Sequence, residues 1–478
     1  MKIVTSLIAT LLLAFSSVSA KDFNVRDYGA KGDGKTLDSP SINKAIEECQ
    51  KSGGGRVVVP SGTYLSGSIR LKSNIEFHIE AGATILAAPA SMKAYDESER
   101  FDFPEYQDGG HTYFHNSLIW AEGEQNVSIT GRGTIDGEGL TKKDTEKAGK
   151  VEGGSIGTGD KSIALKLCKN ILIRDITIYR GGHFAIIVTG CDRGTIDNVT
   201  IDTNRDGIDI DCCKYLTVSN TKVNTPTDDA IVLKASYALK RAVACEHILI
   251  TNCLVTGYKL GTFLDGTYVP EKVNWVCGRI KLGTESNGGY RDIAISNCTC
   301  MYSSGLAFEE VDQGLMDNIV VSNIVLNHVH HYPIYITTGC RNRGPKEVAE
   351  PSRGSNIMIS NVQALDCDSL AGIIVTGMKD APLRNISLSD IHIQYRGGGT
   401  AEQAKKEYRE QGKNYPEPRW AGPTPAYGMY ARHVDGMKLR NVTFELAQPD
   451  ARPMVILDDV RGDELKDVSG PGGEIIRK

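Results

Sequence analysis

From Ile171 onward the chain repeats a short pattern in which β-branched or apolar positions alternate with polar ones and the segment closes on Asn or Asp. Units lie at Ile171 to Asp175, Thr195 to Asn198, Leu216 to Asn220 and Ile248 to Asn252. They continue at Ile293 to Asn297, Ile319 to Asn323, Ile357 to Asn361, Ile386 to Asp390 and Lys438 to Asn441. Alternation with a period of two predicts strands whose side chains point to opposite faces. A second apolar strand often fills the gap, as at Ile208-Asp209-Ile210 and Ala230-Ile231-Val232-Leu233. The first intervals between closing residues are 23 and 22 residues, and later ones are longer. A repeat of ~20–30 residues built only of strands and turns predicts a solenoid, because no coil can bury its own apolar edge. There is no LxxLxL frame for a leucine-rich repeat, nor the ~40-residue hairpin unit of a propeller. The predicted fold is therefore all-β, a single-stranded right-handed parallel β-helix whose longer gaps are side loops.

An open solenoid end exposes apolar side chains and strand edges and must be capped. Between Asp38 and Gly53, Ile42, Ala45, Ile46 and Cys49 fall on one helical face, which predicts a short N-terminal capping helix. Residues 21–461 form one β-helix domain on this reading, with the cap and first coils in 22–90. The stretch 396–425 breaks the repeat with Gly-Gly-Gly, charges and prolines and is expected to be one long lateral loop. The polar tail 462–478 is expected to be loosely structured.

Lys2, the apolar run Ile3 to Phe15 and Val18-Ser19-Ala20 read as a signal peptide over residues 1–20, so an exported, periplasmic or extracellular protein is expected. No later apolar stretch approaches the ~20 residues of a spanning helix, so no membrane anchor is expected. Formal net charge is −5 with both signs dispersed, which argues against a nucleic-acid binder working through a broad basic surface. The 12 cysteines include no CxxC pair, and several follow a strand-ending Asn, so buried small hydrophobes are favoured over a disulfide framework.

The chemistry concentrates in Asn204-Arg205-Asp206-Gly207-Ile208-Asp209-Ile210-Asp211. Alternation turns Ile208 and Ile210 inward and Asp209 and Asp211 outward. Asp228 and Asp229 follow about one coil later. A 22-residue coil would set Asp206 level with Asp228, ~4.7–4.9 Å away along the backbone. Crowded carboxyls raise one another's pKa, which supplies what glycoside hydrolysis needs: one protonated group for the leaving oxygen and one ionised group for water or the sugar. Solvated turn aspartates and a calcium site are the competing readings. Two clusters offset by one coil favour catalysis over an isolated Asp-Gly turn.

These motifs carry a resemblance. Val25 to Lys35 and Val59 to Tyr64 resemble the N-terminal pattern shared by glycoside hydrolase family 28, the polygalacturonase group, and related pectin lyases. Asn204 to Asp209 matches that family's Asn-x-Asp-Gly-x-Asp, and Asp228-Asp229 its paired aspartates. The resemblance implies a pectin-lyase-like fold and cleavage of α-linked galacturonic acid, with Asp228 as general acid. Asp206 and Asp229 would hold and deprotonate the attacking water, giving inversion. It requires no cofactor and no resident metal. The family's Gly-His, one coil after the paired aspartates, has no intact counterpart; Tyr258, Lys259 or Arg279 are the substitutes considered. Arg279-Ile280-Lys281 looks like the family's substrate-binding Arg-Ile-Lys but falls one coil early, so it is either a substrate contact or a solvated strand face. In the later register its counterparts are Ala307 and Glu309.

A galacturonate carboxylate calls for a cationic partner, preferably an Arg fork. Arg205, Lys234, Arg279, Lys281, Arg341 and Arg343 are the candidates, with Asp209 and His183 as further sugar contacts. His328, His330 and His331 are read as a polar strand edge rather than a metal site. Trp420 and Tyr427 either stack on a sugar or pin the lateral loop. The expected partner is a pectic galacturonide, terminal residues being removed from it, and the protein is expected to be a monomer. The alternatives carried are a pectate or rhamnogalacturonan lyase on the same fold and a non-catalytic carbohydrate-binding β-helix.

Overall fold

The computed structural model describes residues 22–99, 109–141, 156–272, 276–344, 350–410 and 412–478. The signal-peptide segment lies outside them. No helix among the described residues is long and apolar enough to cross a membrane.

Among the described residues the strands pair in parallel, and they stack into three ladders that wind as a right-handed parallel β-helix. The repeat found in the sequence is one of these ladders. Gly194 lies between Ile171 and Leu216, and Leu216, Ile248, Ile293, Ile319, Ile357, Ile386 and Met437 follow in strict register. Its apolar members are at most 2% exposed, and together they build the core.

The closing Asn or Asp has a physical reason. Asn198, Asn220, Asn252, Asn297, Asn323, Asn361 and Asn441 sit at φ between 52° and 58°, with Asp390 at 53°. This left-handed corner is costly for most side chains and tolerated by Asn and Asp. The amides also ladder: Asn361 donates to Asn323 at 2.7 Å and Asn323 to Asn297 at 2.9 Å. Such corner residues satisfy a neighbour's polar group while turning the chain.

The helix Ser39–Lys51 closes the N-terminal end and buries Ile42, Ala45, Ile46 and Cys49. At the other end the tail differs from expectation. Glu464–Ser469 pairs with the strand containing Lys438, and Ile475–Arg477 pairs with Val455–Leu457. Unsatisfied edge groups of the last coil attract this polar segment, although it offers little apolar surface. All 12 cysteines are free, and Cys49, Cys168, Cys191, Cys213, Cys245, Cys253, Cys298, Cys300 and Cys367 join the core.

Candidate active site

One ladder carries the chemistry. The strands Lys161–Lys166, Phe184–Thr189, Asp206–Asp211, Ile231–Lys234, Ile280–Leu282, Leu306–Glu310 and Ile334–Thr338 lie side by side. Ile208 pairs with Ile231, whereas one coil earlier it pairs with Ile186. The coil reaching Asp229 is therefore one residue longer than the preceding one. That corrects the expected register: Asp206 faces Asp229, as the bond from Gly207 N–H to the Asp229 carbonyl also shows. The extra residue falls in the turn before Asp229. It leaves Asp228 at the corner, where its Oδ2 is 3.1 Å from Arg205 Nη1.

Asp206, Asp228 and Asp229 each bring one carboxylate oxygen within 4.8 Å of the others. Their surroundings separate their charge states. Burial of Asp206, followed by the fields of Asp228 and Asp209, pushes its carboxyl well above the ordinary range, and its Oδ1 lacks a hydrogen-bond partner. Burial would raise Asp229 too, but Arg279, Lys281 and Lys234 outweigh it and draw its carboxyl down to about 2. Arg279 Nε lies 2.5 Å from Asp229 Oδ1, and Lys281 Nζ 3.2 Å from its Oδ2. The carboxyls of the facing pair are thus driven in opposite directions, Asp206 toward its protonated form and Asp229 toward its ionised form. The spacing would also suit a hard divalent cation. Arg205, Lys234, Arg279 and Lys281, however, already pair with Asp228, Asp209 and Asp229.

A family model described as rhamnogalacturonase A/epimerase, pectate lyase-like, matches residues 23–259. An exopolygalacturonase of Platanus acerifolia is 25% identical over 398 residues, spanning 80% of this chain and 92% of that protein. The chain is a relative of the polygalacturonase group, glycoside hydrolase family 28. Two solved structures share the fold. An exopolygalacturonase from Thermotoga maritima is 23% identical at a TM-score of 0.65, covering 89% of this chain and 91% of that one. A family 28 exopolygalacturonase from Yersinia enterocolitica is 19% identical at 0.67, covering 94% and 78%.

Lys281 pairs in register with Val232, so the Arg279-Ile280-Lys281 strand occupies the coil directly after the paired aspartates. It is not a solvated face: Arg279 is 3% and Lys281 1% exposed. Arg279 also donates to the Tyr332 hydroxyl and lies 3.7 Å from Glu417, while Lys281 is 3.4 Å from Glu309. These contacts make the strand a clamp on Asp229. Glu309 is buried beside Lys281 and therefore faces that cation rather than solvent.

Other expected contacts are also placed elsewhere. Tyr258 packs on Tyr268 and Tyr302 at the end of the third ladder, and Lys259 bonds back to Val269 through its amide. Among the described residues neither reaches the aspartates, because the insertion folds onto the flank and is anchored by Asn224 and Asp202. Lys234 is 2.9 Å from Glu285 and 3.8 Å from Asp209. Arg341 is tied to Asp312 and lies 3.3 Å from Glu285, so its fork is committed to protein carboxylates; Arg343 is partly exposed, 3.6 Å from Glu285. His183 stacks on Phe184, and its Nε2 is 3.1 Å from Arg205 Nη2. His328 pairs with Asp366 and stacks on Tyr302.

Two apolar clusters outside the core cover the outer face of this ladder. Before the aspartates, Phe114 packs with Ala164, Phe184 and Ile187, and His111 reaches Asp209. Asp209 is consequently fully buried and does not present a sugar contact. After Lys281, the lateral loop lays Tyr408 and Ala421 over Ala307 and Tyr335. Tyr415 of that loop sits with Lys281 5.8 Å from its ring centroid. Trp420 is 60% exposed, whereas Tyr427 is buried and hydrogen-bonds the Pro471 carbonyl at 2.6 Å, tying down the C-terminal coil. Asp228 and Arg205 keep side-chain exposures of 23% and 29%, so solvent reaches the cluster at their corner. Sequence reasoning missed His111, Tyr332, Tyr415 and Glu417, none of which carries a motif.

Proposed function

We propose that the protein hydrolyses α-linked galacturonic acid at the ends of pectic chains or oligosaccharides, as an exported, monomeric exo-acting glycoside hydrolase. Asp228 protonates the leaving oxygen, Asp229 takes the proton of the attacking water, and Asp206 completes the seat for that water. The observation that carries this reading is the facing pair Asp206 and Asp229, whose carboxyls are shifted in opposite directions, beside the partly exposed carboxyl of Asp228. Proton donor and base are what acetal hydrolysis requires. The name of the relative from Platanus acerifolia supports both the substrate and the exo mode. The two apolar covers flank the cluster and leave Asp228 and Arg205 as its partly exposed members, which favours a chain end over a mid-chain segment. Arg205, beside Asp228, is the cation placed to meet a uronate carboxylate, with His183 behind it.

A lyase on this fold would want a free Arg or Lys to remove a proton. Arg279, Lys281 and Lys234 are each engaged with a carboxylate instead. Inversion rests on the family resemblance. Oxygens within 4.8 Å are closer to the ~5–5.5 Å carboxyl spacing of retaining pairs than to the ~6.5–9.5 Å of inverting ones. With three carboxyls, however, two can share one water while the third donates, so close spacing does not demand a covalent nucleophile.

The test is incubation of the mature protein on saturated galacturonides and rhamnogalacturonan oligomers, with and without chelator. Both reducing ends and the absorbance of unsaturated products are followed, and proton NMR identifies the first-formed anomer. Chelator-insensitive reducing ends without absorbance, lost in Asp228→Asn and appearing as the β-anomer, are expected. Absorbance gain would establish a lyase, and silence on all pectic substrates would favour a binding protein.

A further inference from the structure

His111, from a turn early in the chain, reaches the buried side of the aspartate cluster. It ends the short 3-10 turn Gly109–His111, 98 positions from Asp209 in sequence, yet its Nε2 is 3.1 Å from Asp209 Oδ2. The two side chains are 1% and 0% exposed. The ring stands edge-on to Phe184 at 4.9 Å, and Phe184 is the register partner of Asp206. A mobile surface histidine would not be packed this way. A hydrogen bond between an imidazole and a carboxylate, sealed from water, is electrostatically strong and costly to break.

We propose that His111 is a positioning residue of the active site, holding Asp209 in place and charge so that Asp206 keeps the state required to seat the attacking water. Asp209 stands between two cationic or donor groups, His111 at 3.1 Å and Lys234 at 3.8 Å, both on the same oxygen. Lys234 is shared with Glu285, so it serves Asp209 only in part. Asp209 in turn adds its negative field to Asp206. The groups facing Asp209 are therefore His111, Lys234, Asp206 and Asp229, and His111 is the one that comes from outside the ladder. Cover and charge are thus coupled: the segment that covers the sheet also supplies the hydrogen bond that fixes the buried carboxyl. His111 is buried, so its effect belongs to turnover rather than to substrate affinity.

This inference rests on the hydrolase reading. Its test is a kinetic cycle of His111→Phe, His111→Gln, Asp209→Asn and the double variant His111→Phe/Asp209→Asn, each checked for folding by urea titration. His111→Phe, which keeps the ring packing on Phe184 but loses the bond, should lower kcat by roughly 10- to 100-fold, the scale of one lost hydrogen bond to a charged group. KM should stay within about threefold, a merely structural loss being visible instead in the urea midpoint. Without the imidazole Asp209 takes up a proton more readily. The repulsion on Asp206 weakens, and the limb of the kcat profile that reports Asp206 moves to lower pH. His111→Gln, which retains a donor, should recover most of the rate. In the Asp209→Asn background His111→Phe should add little further loss, since coupled residues are not additive. Additive losses, an unmoved pH profile, or a change confined to KM would overturn the proposal. A wild-type chain silent on galacturonides would sink the hydrolase reading and this inference together, whereas an active wild type with additive variants sinks the inference alone.

Discussion

Replacing Arg279 by Gln is the perturbation that most directly probes the charge arrangement. Asp229 is 3% exposed, and burial pushes its carboxyl upward. Arg279, the largest opposing influence, together with Lys281 and Lys234 brings it from its ordinary 3.8 to about 2. At ~1.4 kcal/mol per pKa unit, the net shift corresponds to roughly 2–3 kcal/mol in favour of the ionised form. A folded-state value below the unfolded one means that this stabilisation is fully present above about pH 4 and is lost as pH falls toward about 2. Without Arg279, burial is opposed only by the two lysines, so the carboxyl rises and enters the working range. Removing one partner of a buried ion pair typically costs ~3–5 kcal/mol in stability. Loss of an ionised base costs on the order of 10²- to 10⁴-fold in rate. Initial rates of reducing-end release on digalacturonate from about pH 3.5 to 8 should show kcat falling and the acid limb moving upward in Arg279→Gln, with a lower urea midpoint. A variant within twofold of wild type across that range would refute the clamp. A rise in KM with kcat intact would make Arg279 a substrate contact instead.

Shortening the lateral loop between residues 400 and 421 removes Tyr408 and Ala421 from Ala307 and Tyr335. Early products should then shift from monomer toward longer oligomers on chromatography, and unchanged monomer release would show that this cover does not limit chain entry. Glu310 is fully buried, and burial pushes its carboxyl up to about 8. A raised acid keeps its proton in the folded state while the unfolded chain loses it, so stability declines between about pH 4.5 and 8. Glu310→Gln should flatten that decline, measured by urea midpoints at the two pH values, and an unaltered slope would contradict it. With all 12 cysteines free, millimolar thiol reductant should leave the thermal midpoint of the mature protein unchanged; a fall of several degrees would indicate a disulfide.

The fold was legible because the repeat states two physical requirements at once. Alternation fixes which side chains enter the core, and the closing Asn or Asp meets the left-handed corner, as at Asn323 and Asn361. The aspartates were legible for the same reason, since neighbouring coils bring residues about one repeat apart together. The exact register was not, because a single extra residue in the turn before Asp229 changes which carboxyl faces Asp206. The C-terminal coil was missed because backbone pairing at Glu464–Ser469 carries it with few apolar side chains. Tyr258 and Lys259 were misplaced because counting residues past the paired aspartates ignores the insertion, which folds onto the flank before Arg279 returns to the ladder.

What surrounds the aspartates follows from the cost of gathering them. Asp206, Asp209 and Asp229 are buried on one sheet face, where isolated carboxylates would be too costly to keep ionised. Arg205, Lys234, Arg279 and Lys281 bring the cluster with Asp228 to formal neutrality, but they are unevenly placed. Two of them touch Asp229, while among the described residues no ion pair is made by Asp206. That asymmetry is what turns a neutral cluster into a working pair: the same number of charges spread evenly would leave both facing carboxyls in similar states. Catalysis then depends on the positions of cations that never need to touch the sugar. A change at Arg279 or Lys281 should therefore alter the pH dependence of turnover before it alters what the protein binds.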